Sequence, residues 1–115
     1  MSRVSRVNQL IKKELSQIIF REVDFPAGVF VTLTRVETSA DLQEAKAYIS
    51  VMPENINRQI LDTLKRRIYF LQQSLNKRLK IRPLPRIIFT EEKATAQAGR
   101  IEELLEEIHR KISND

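Results

Sequence analysis

The chain has 115 residues, 20 of them Lys or Arg and 15 of them Asp or Glu, and its formal net charge is +5. This length suits a single domain, and a hydrophobic fraction of 42% is enough for a packed core, which argues against intrinsic disorder. Because the chain has no cysteine, disulfide frameworks, zinc–thiolate sites and thiol nucleophiles are excluded. No stretch approaches the roughly 20 apolar residues of a membrane span, and the N-terminus lacks a secretory pattern. We therefore predict a soluble, cytoplasmic protein with no membrane partner.

The first predicted element is an amphipathic helix over about residues 2–21. Its polar face carries Arg6 and Lys13. The helix ends before a loop over 24–28, because Pro26 and Gly28 interrupt regular structure. The apolar residues of its other face recur at steps of three and four positions: Val4, Val7, Ile11, Leu15 and Ile18.

Two strands that form an antiparallel hairpin are predicted next. Residues 30–37 are rich in β-branched side chains, which are typical of strands. Val36 is out of phase with Leu33, which indicates a β-bulge near Arg35. Residues 44–52 alternate between apolar and polar side chains and are followed by Pro53, and a short turn joins the two strands. The second strand directs four residues toward a core: Ala45, Ala47, Ile49 and Val51.

A long helical pattern follows over about residues 54–80. The pattern is compatible with one long helix or with two shorter ones. The helical pattern ends before Pro83 and Pro85, because proline lacks the amide donor that a helix needs and restricts the backbone of the residue before it. A short strand over 86–90 and a final helix over about 94–113 complete the chain. The apolar stripe of the long pattern consists of Ile60, Leu64, Ile68, Leu71, Leu75 and Leu79.

These elements predict an α+β domain with the order helix, strand, strand, helix (long or kinked), strand, helix. A three-stranded sheet with the helices over one face buries the apolar stripes most simply. The other face of the sheet, with Arg35, Lys46 and Tyr48, stays partly open, and we expect Tyr48 to pack there rather than to stack on a base. We treat residues 1–115 as one domain and leave open whether the final helix packs on it or extends from it as an appendage.

Basic residues are concentrated in one part of the chain. Residues 58–86 hold nine Lys or Arg against a single Asp, which gives a local net charge of +8. Such a concentration indicates a polyanionic partner, because Lys and Arg placed on phosphates release condensed counterions. The alternative is a solvated helix face that has no partner.

Catalytic and metal-binding patterns are nearly absent from the sequence. It contains one histidine and no glycine-rich phosphate loop. Glu106 and His109 have the i, i+3 spacing found in di-iron bundles, but those sites need a second such pair and two further carboxylates. We therefore predict no catalytic residues, no metal, no cofactor and no small-molecule substrate.

Two segments resemble the bacterial ribosome-binding factor A family. Residues 31–50, VTLTRVETSADLQEAKAYIS, resemble its hairpin signature of the form V-T-V-x-x-V-x-x-S-x-D-L-x-x-A-x-V-Y-V-S. Residues 79–89, LKIRPLPRIIF, are similar to its L-x-x-R-x-x-P-x-L-x-F segment. Arg3 and Arg6 in the first helix and Leu105 in the last one also fit, so the resemblance covers about residues 3–108.

The resemblance implies a type II KH-like fold and a non-enzymatic factor in ribosome biogenesis. Such a factor binds the small (30S) ribosomal subunit and its 16S rRNA and supports late rRNA maturation, and we expect it to be a monomer. KH domains hold a nucleic-acid backbone with a Gly-x-x-Gly loop, but Gly28 and Gly99 lie elsewhere in this chain. The family replaces that loop with an Ala-x-Gly kink, and the corresponding residues here, Arg67-Ile68-Tyr69, contain neither alanine nor glycine.

Phe70 follows these positions directly. In one straight helix it lies on the basic outer face, where an aromatic ring can stack on a base. Because exposed phenylalanine is uncommon and the family bends here, we expect a bend that carries Phe70 into the core.

On the RNA-binding interpretation, the basic segment and the outer face of the first helix lie against rRNA phosphates. A second interpretation is a protein–protein adaptor that binds an acidic partner through the basic face of residues 58–86. A third, a small α+β enzyme, lacks the residues that catalysis needs. Competition by RNA distinguishes the first two interpretations. The residues predicted to contact RNA are Arg3, Arg6, Lys13, Arg58, Lys65, Arg66, Lys77, Arg78, Lys80 and Arg82.

Overall fold

The computed structural model describes residues 2–93 of the chain. The final helix predicted over 94–113 therefore lies outside the described residues. The observed architecture confirms the predicted α+β class and the predicted order of elements as far as the third strand. The elements are α1 (Arg3–Glu22), β1 (Phe30–Thr38), β2 (Glu44–Met52), a short 3₁₀ turn (Glu54–Ile56), α2 (Asn57–Arg66), α3 (Ile68–Arg78) and β3 (Arg86–Glu91).

Helix α1 begins at a serine cap and buries one face. The Ser2 hydroxyl accepts a hydrogen bond from the backbone N–H of Ser5 at 3.1 Å, which satisfies one of the free donors of the first turn. Val23 caps the C-terminal end of the helix, and its backbone N–H donates to the Ile19 carbonyl. The buried residues of α1 are Val7, Ile11, Leu15, Ile18 and Ile19, so the predicted helix and most of its apolar face are confirmed.

The sheet has the strand order β1–β2–β3. Strands β1 and β2 pair antiparallel, and their register shifts between Leu33 and Arg35, which confirms the predicted bulge. Strands β2 and β3 pair in parallel. A parallel neighbour needs a crossover connection, and α2 and α3 provide it.

One hydrophobic core lies between the sheet and the helices. Helix α1 packs on β1 and on α3, while α2 packs on β2 and β3. The alternation predicted for β2 is confirmed, because Ala45, Ala47, Ile49 and Val51 are all buried while Lys46 is exposed. The helices thus cover one face of the sheet, and no helix within residues 2–93 covers the other face.

The long helical pattern is interrupted at Arg67. This residue has φ −94° and ψ 8° and separates α2 from α3. Its N–H donates to the carbonyls of Thr63 and Leu64 at the end of α2, and its own carbonyl accepts from the N–H of Leu71 at the start of α3. The bend thus forms without alanine or glycine at these positions.

The expectation that this bend would bury Phe70 is wrong, since 43% of the residue is exposed. After the break, Leu71 and Leu75 take the fully buried positions of α3. Adjacent helical residues point about 100° apart, so a buried Leu71 turns Phe70 toward the surface. Ile68, placed in the predicted apolar stripe, is only half-buried.

Candidate nucleic-acid interface

All ten residues predicted to contact RNA are exposed on the helices and on the loop after α3. Three lie on α1, three on α2, two on α3 and two in the loop. They are Arg3, Arg6, Lys13, Arg58, Lys65, Arg66, Lys77, Arg78, Lys80 and Arg82. The structure does not gather them into one patch.

A first group, named here the loop cluster, lies where the start of α1 meets the loop after α3. Arg3, Arg6 and Ile81 line one shallow depression. Lys80 and Arg82 flank Ile81 in sequence. The loop cluster therefore consists of Arg3 and Arg6 at the start of α1 and of Lys80 and Arg82 in the loop segment that meets it.

A second group, named here the break cluster, lies at the end of α2. Lys65 and Arg66 occupy the last turn of α2, and Arg67 follows at the break. Helix α3, with 11 residues and a length of about 16 Å at 1.5 Å per residue, lies between this cluster and the loop cluster. Cations at the last turn of a helix also stabilise its free carbonyls by about 0.3–1 kcal/mol each, so Lys65 and Arg66 have a structural role even without a ligand.

Arg78 forms contacts with side chains of α1. One terminal nitrogen of its guanidinium lies 3.2 Å from a carboxylate oxygen of Glu14 and donates to the side-chain oxygen of Gln17 at 3.3 Å. These contacts join the end of α3 to the middle of α1. We therefore expect Arg78 to contribute less to phosphate binding than Lys77, its exposed neighbour.

Two of the predicted residues lie away from both clusters. Arg58 is in the first turn of α2, about 10 Å along the helix from Lys65. Lys13 is about 10 Å along α1 from Arg6. They extend the positive surface without forming a cluster of their own.

The prediction missed an aromatic group at the break. Tyr69 is 74% exposed, and its hydroxyl accepts a hydrogen bond from the Gln73 side chain at 2.8 Å. The Arg67 guanidinium carbon lies 5.1 Å from the centroid of the Phe70 ring. The signal was present in the sequence, because three basic residues run almost directly into two adjacent aromatic residues.

The open face of the sheet carries a network of ion pairs around Arg35. Its guanidinium carbon lies 3.8 Å from the centroid of the Tyr48 ring, so this tyrosine packs within the sheet as expected. Arg35 donates to both oxygens of Glu92, at 3.0 and 3.4 Å, and also pairs with Glu37. The Tyr48 hydroxyl donates to Glu37 at 3.0 Å, and the Thr34 hydroxyl donates to Glu92 at 2.6 Å. The network thus links β1, β2 and Glu92 through their side chains.

The ionisable groups of this network have shifted pKa values. Burial opposes ionisation of Glu92, but the hydrogen bonds from Arg35 and Thr34 outweigh it, and the pKa of Glu92 is lowered. The hydrogen bond to Glu92 raises the pKa of Arg35 against the effect of burial. Burial and the Glu37 carboxylate raise the pKa of Tyr48. At neutral pH the Glu92 carboxylate and the Arg35 guanidinium are therefore charged, and the Tyr48 phenol is neutral.

No group of three or more potential metal ligands occurs within residues 2–93. The same part of the chain has no buried polar or charged residue. Glu106 and His109 lie outside the described residues. No helix among the described residues is long and apolar enough to cross a membrane.

The fold and the exposed basic helices define a small α+β protein with a cationic helical surface. The model of the ribosome-binding factor A family matches residues 3–105. The chain therefore belongs to the ribosome-binding factor A family, and the resemblance carried by the hairpin and the loop before β3 is confirmed.

Relatives with this name cover nearly the whole chain. The protein from Syntrophus aciditrophicus is 35% identical over 98% of this chain and 93% of its own. The protein from Thermosynechococcus vestitus is 36% identical over 92% of this chain and 86% of its own.

Solved structures of the family share the fold. The crystal structure of ribosome-binding factor A from Thermus thermophilus has a TM-score of 0.69 at 23% identity and covers 78% of this chain and 97% of that one. A homology model of the Thermus thermophilus protein, fitted into a cryo-EM map of a 30S complex, has a TM-score of 0.61 at 25% identity and covers 76% of this chain and 92% of that one.

Proposed function

We propose that this protein is a non-enzymatic assembly factor that binds the small (30S) ribosomal subunit through its 16S rRNA and supports late rRNA maturation. The observation that carries the proposal is the pair of exposed basic clusters at the two ends of α3. The 30S complex of the related Thermus thermophilus protein supports the choice of the small subunit. The protein acts as a cytoplasmic monomer, in a single KH-like domain.

The two clusters suit binding to the phosphate backbone of folded RNA. Each Lys or Arg that neutralises a phosphate releases a condensed counterion, which makes the affinity high and salt-dependent. Phosphate contacts fix position and orientation, whereas the shape of the RNA determines where such a surface fits. Helix α3, about 16 Å long, lies between the clusters, so this surface suits RNA folds that present phosphates at two separate places.

Binding without catalysis is supported by the side chains in the interior. The described core consists of apolar residues, with no buried polar or charged residue within residues 2–93. General acid–base catalysis depends on titratable groups whose pKa values are tuned by burial and neighbours. The shifted pKa values of the described part lie on the open face of the sheet and in the hairpin turn, where they accompany structural hydrogen bonds.

Co-sedimentation with purified subunits tests the proposal. The protein is centrifuged with small subunits, or with large subunits as a control, over a salt series. We expect selective binding to the small subunit that weakens as salt rises. Equal binding to both subunits, or binding to neither, contradicts the proposal.

A charge-reversal variant tests the interface itself. Replacing Lys65, Lys77 and Lys80 with Glu removes charge from both clusters and from the helix between them. If each lysine contacts one phosphate, the slope of log affinity against log salt falls by about 2–3. The matched control replaces Arg21, Lys46 and Lys93 with Glu. These three basic residues are exposed and lie outside both clusters, so this variant should bind as the wild type does. Equal loss in both variants refutes this placement of the interface.

The adaptor interpretation predicts a different response to RNA. An acidic protein partner would stay bound after nuclease treatment, and free rRNA would compete only weakly. For the assembly factor we expect nuclease to abolish binding and small-subunit rRNA to compete.

A further inference from the structure

We propose that the break between α2 and α3 carries a stacking site for an unpaired RNA base. The site, named here the aromatic step, consists of Arg67, Tyr69 and Phe70. This proposal rests on the proposed function, because it assigns one contact within the same RNA interface. It adds a preference for single-stranded RNA, because phosphate contacts alone do not distinguish single strands from duplexes.

The aromatic step differs from the other exposed aromatic residues in its neighbours. Phe20 and Phe30 are also exposed, but both line an apolar cleft at the end of α1 and the start of β1. Tyr69 and Phe70 instead follow three consecutive basic residues at the end of α2. An aromatic ring beside cations is the combination that single-stranded nucleic acids bind, since bases stack on the ring while phosphates meet the charges.

The rings are held in place before any ligand arrives. The Gln73 side chain donates to the Tyr69 hydroxyl from one turn further along α3, which restricts the tyrosine side chain. The Arg67 guanidinium lies over the Phe70 ring with its carbon 5.1 Å from the centroid, which is within the range of a cation–π contact. A planar guanidinium can itself stack on a base. Less ordering is therefore needed at this site when RNA binds.

The geometry points to an unpaired base rather than a duplex. In a double helix the faces of the bases are already stacked on one another, and A-form RNA offers mainly its backbone and shallow groove. An exposed ring such as Tyr69 can contact a base face only where that base is splayed out of its stack. Stacking tolerates every base, so we expect little sequence preference.

The tyrosine content of the chain permits a direct test. The protein has no tryptophan and two tyrosines, Tyr48 and Tyr69. In a Tyr48→Phe variant all tyrosine fluorescence comes from Tyr69. We expect single-stranded oligoadenylate to quench this emission in proportion to binding measured by polarisation. A duplex RNA of the same length should bind through phosphates with little quenching. Binding of oligoadenylate without quenching, or equal quenching by the duplex, overturns the proposal.

A matched pair of double variants separates stacking from charge. Tyr69→Ala/Phe70→Ala should weaken binding of oligoadenylate about tenfold or more while leaving the salt slope unchanged, because no charge is removed. Phe20→Ala/Phe30→Ala removes two exposed aromatic rings that lie outside the basic clusters and should not change the affinity. Circular dichroism confirms that both variants are folded. Equal effects of the two double variants contradict the assigned position of the site.

Measuring subunit binding and oligoadenylate binding separately distinguishes a failure of the stacking site from a failure of the proposed function. If the wild type sediments with small subunits but oligoadenylate gives no quenching, the aromatic step is wrong and the proposed function stands. If oligoadenylate quenches Tyr69 but the protein does not select small subunits, the stacking site is supported and the proposed function is refuted. If the wild type binds neither small subunits nor oligoadenylate, both proposals are refuted.

Discussion

The ion pair between Arg35 and Glu92 should contribute measurably to stability at neutral pH. The Glu92 side chain is 19% exposed, and that of Arg35 is 40% exposed. A fully exposed pair contributes roughly 0–1 kcal/mol, and a hydrogen bond to a charged group contributes about 1.5–3 kcal/mol. Because Arg35 is more than a third exposed, solvent screening reduces the second value, and we expect a coupling free energy of about 1 kcal/mol.

A double-mutant cycle measures this coupling. The free energy of unfolding is determined by urea denaturation for the wild type, Arg35→Met, Glu92→Gln and the double variant. Arg86 and Glu44 provide the matched control, since their charged groups are 3.5 Å apart and the Arg86 side chain is 71% exposed. The coupling of this control pair should be close to zero.

The coupling should also depend on pH in a defined direction. The pKa of Glu92 is lower in the folded protein than its usual value of 4.5. Its charge therefore stabilises the fold above pH 4.5, and the contribution is lost as the pH falls through the lower folded pKa. The coupling measured at pH 7 should vanish in strong acid. A coupling no larger than that of Arg86 and Glu44, or one that is unchanged in acid, refutes the reasoning.

Three further predictions concern stability and ionisation. Leu75→Ala should destabilise the protein by about 3 kcal/mol, because Leu75 is fully buried, whereas Leu10→Ala at a half-exposed position should cost under about 1 kcal/mol; urea denaturation checks both. Gly28→Ala should cost about 1 kcal/mol in the same assay through backbone strain alone, since Gly28 has φ +83° and an added Cβ meets no atom within 4 Å. In a Tyr69→Phe variant the remaining Tyr48 should ionise above pH 10.0 in an absorbance titration, because burial and a nearby carboxylate raise its pKa. Ionisation at or below pH 10.0 contradicts the last prediction.

The secondary structure of residues 2–93 follows largely from local sequence patterns. The stripe from Val7 to Ile18 and the alternation from Ala45 to Val51 each depend on near neighbours, so their period is visible in the sequence. The bulge near Arg35 was predictable for the same reason, because a single extra residue changes the phase of a strand. These patterns establish which faces are buried.

The features that were missed depend on contacts between distant residues or on the angle of one bend. Arg35 and Glu92 are 57 positions apart, and no local pattern pairs them. The exposure of Phe70 depends on the rotation of α3 after Arg67. The apolar stripe is compatible with a straight helix and with a bent one, so the sequence does not give this rotation. The basic surface was predictable as a set of exposed residues, whereas its division into two clusters needed the packing of α1 against α3. The same holds for Arg78, because the sequence gives its charge but does not predict its ion pair with the distant Glu14.

The position of β3 has a consequence for folding during synthesis. Strands β1 and β2 are joined by a short turn and can pair as soon as both have left the exit tunnel of the ribosome that makes them, since closing a short loop costs little entropy. The parallel pairing of β3 must wait until the whole crossover has emerged. Glu92 then fastens the last described residues to β1 on the open face of the sheet. A nascent chain that ends before β3 therefore leaves one edge of β2 unpaired, and the complete three-stranded sheet forms only after β3 has emerged.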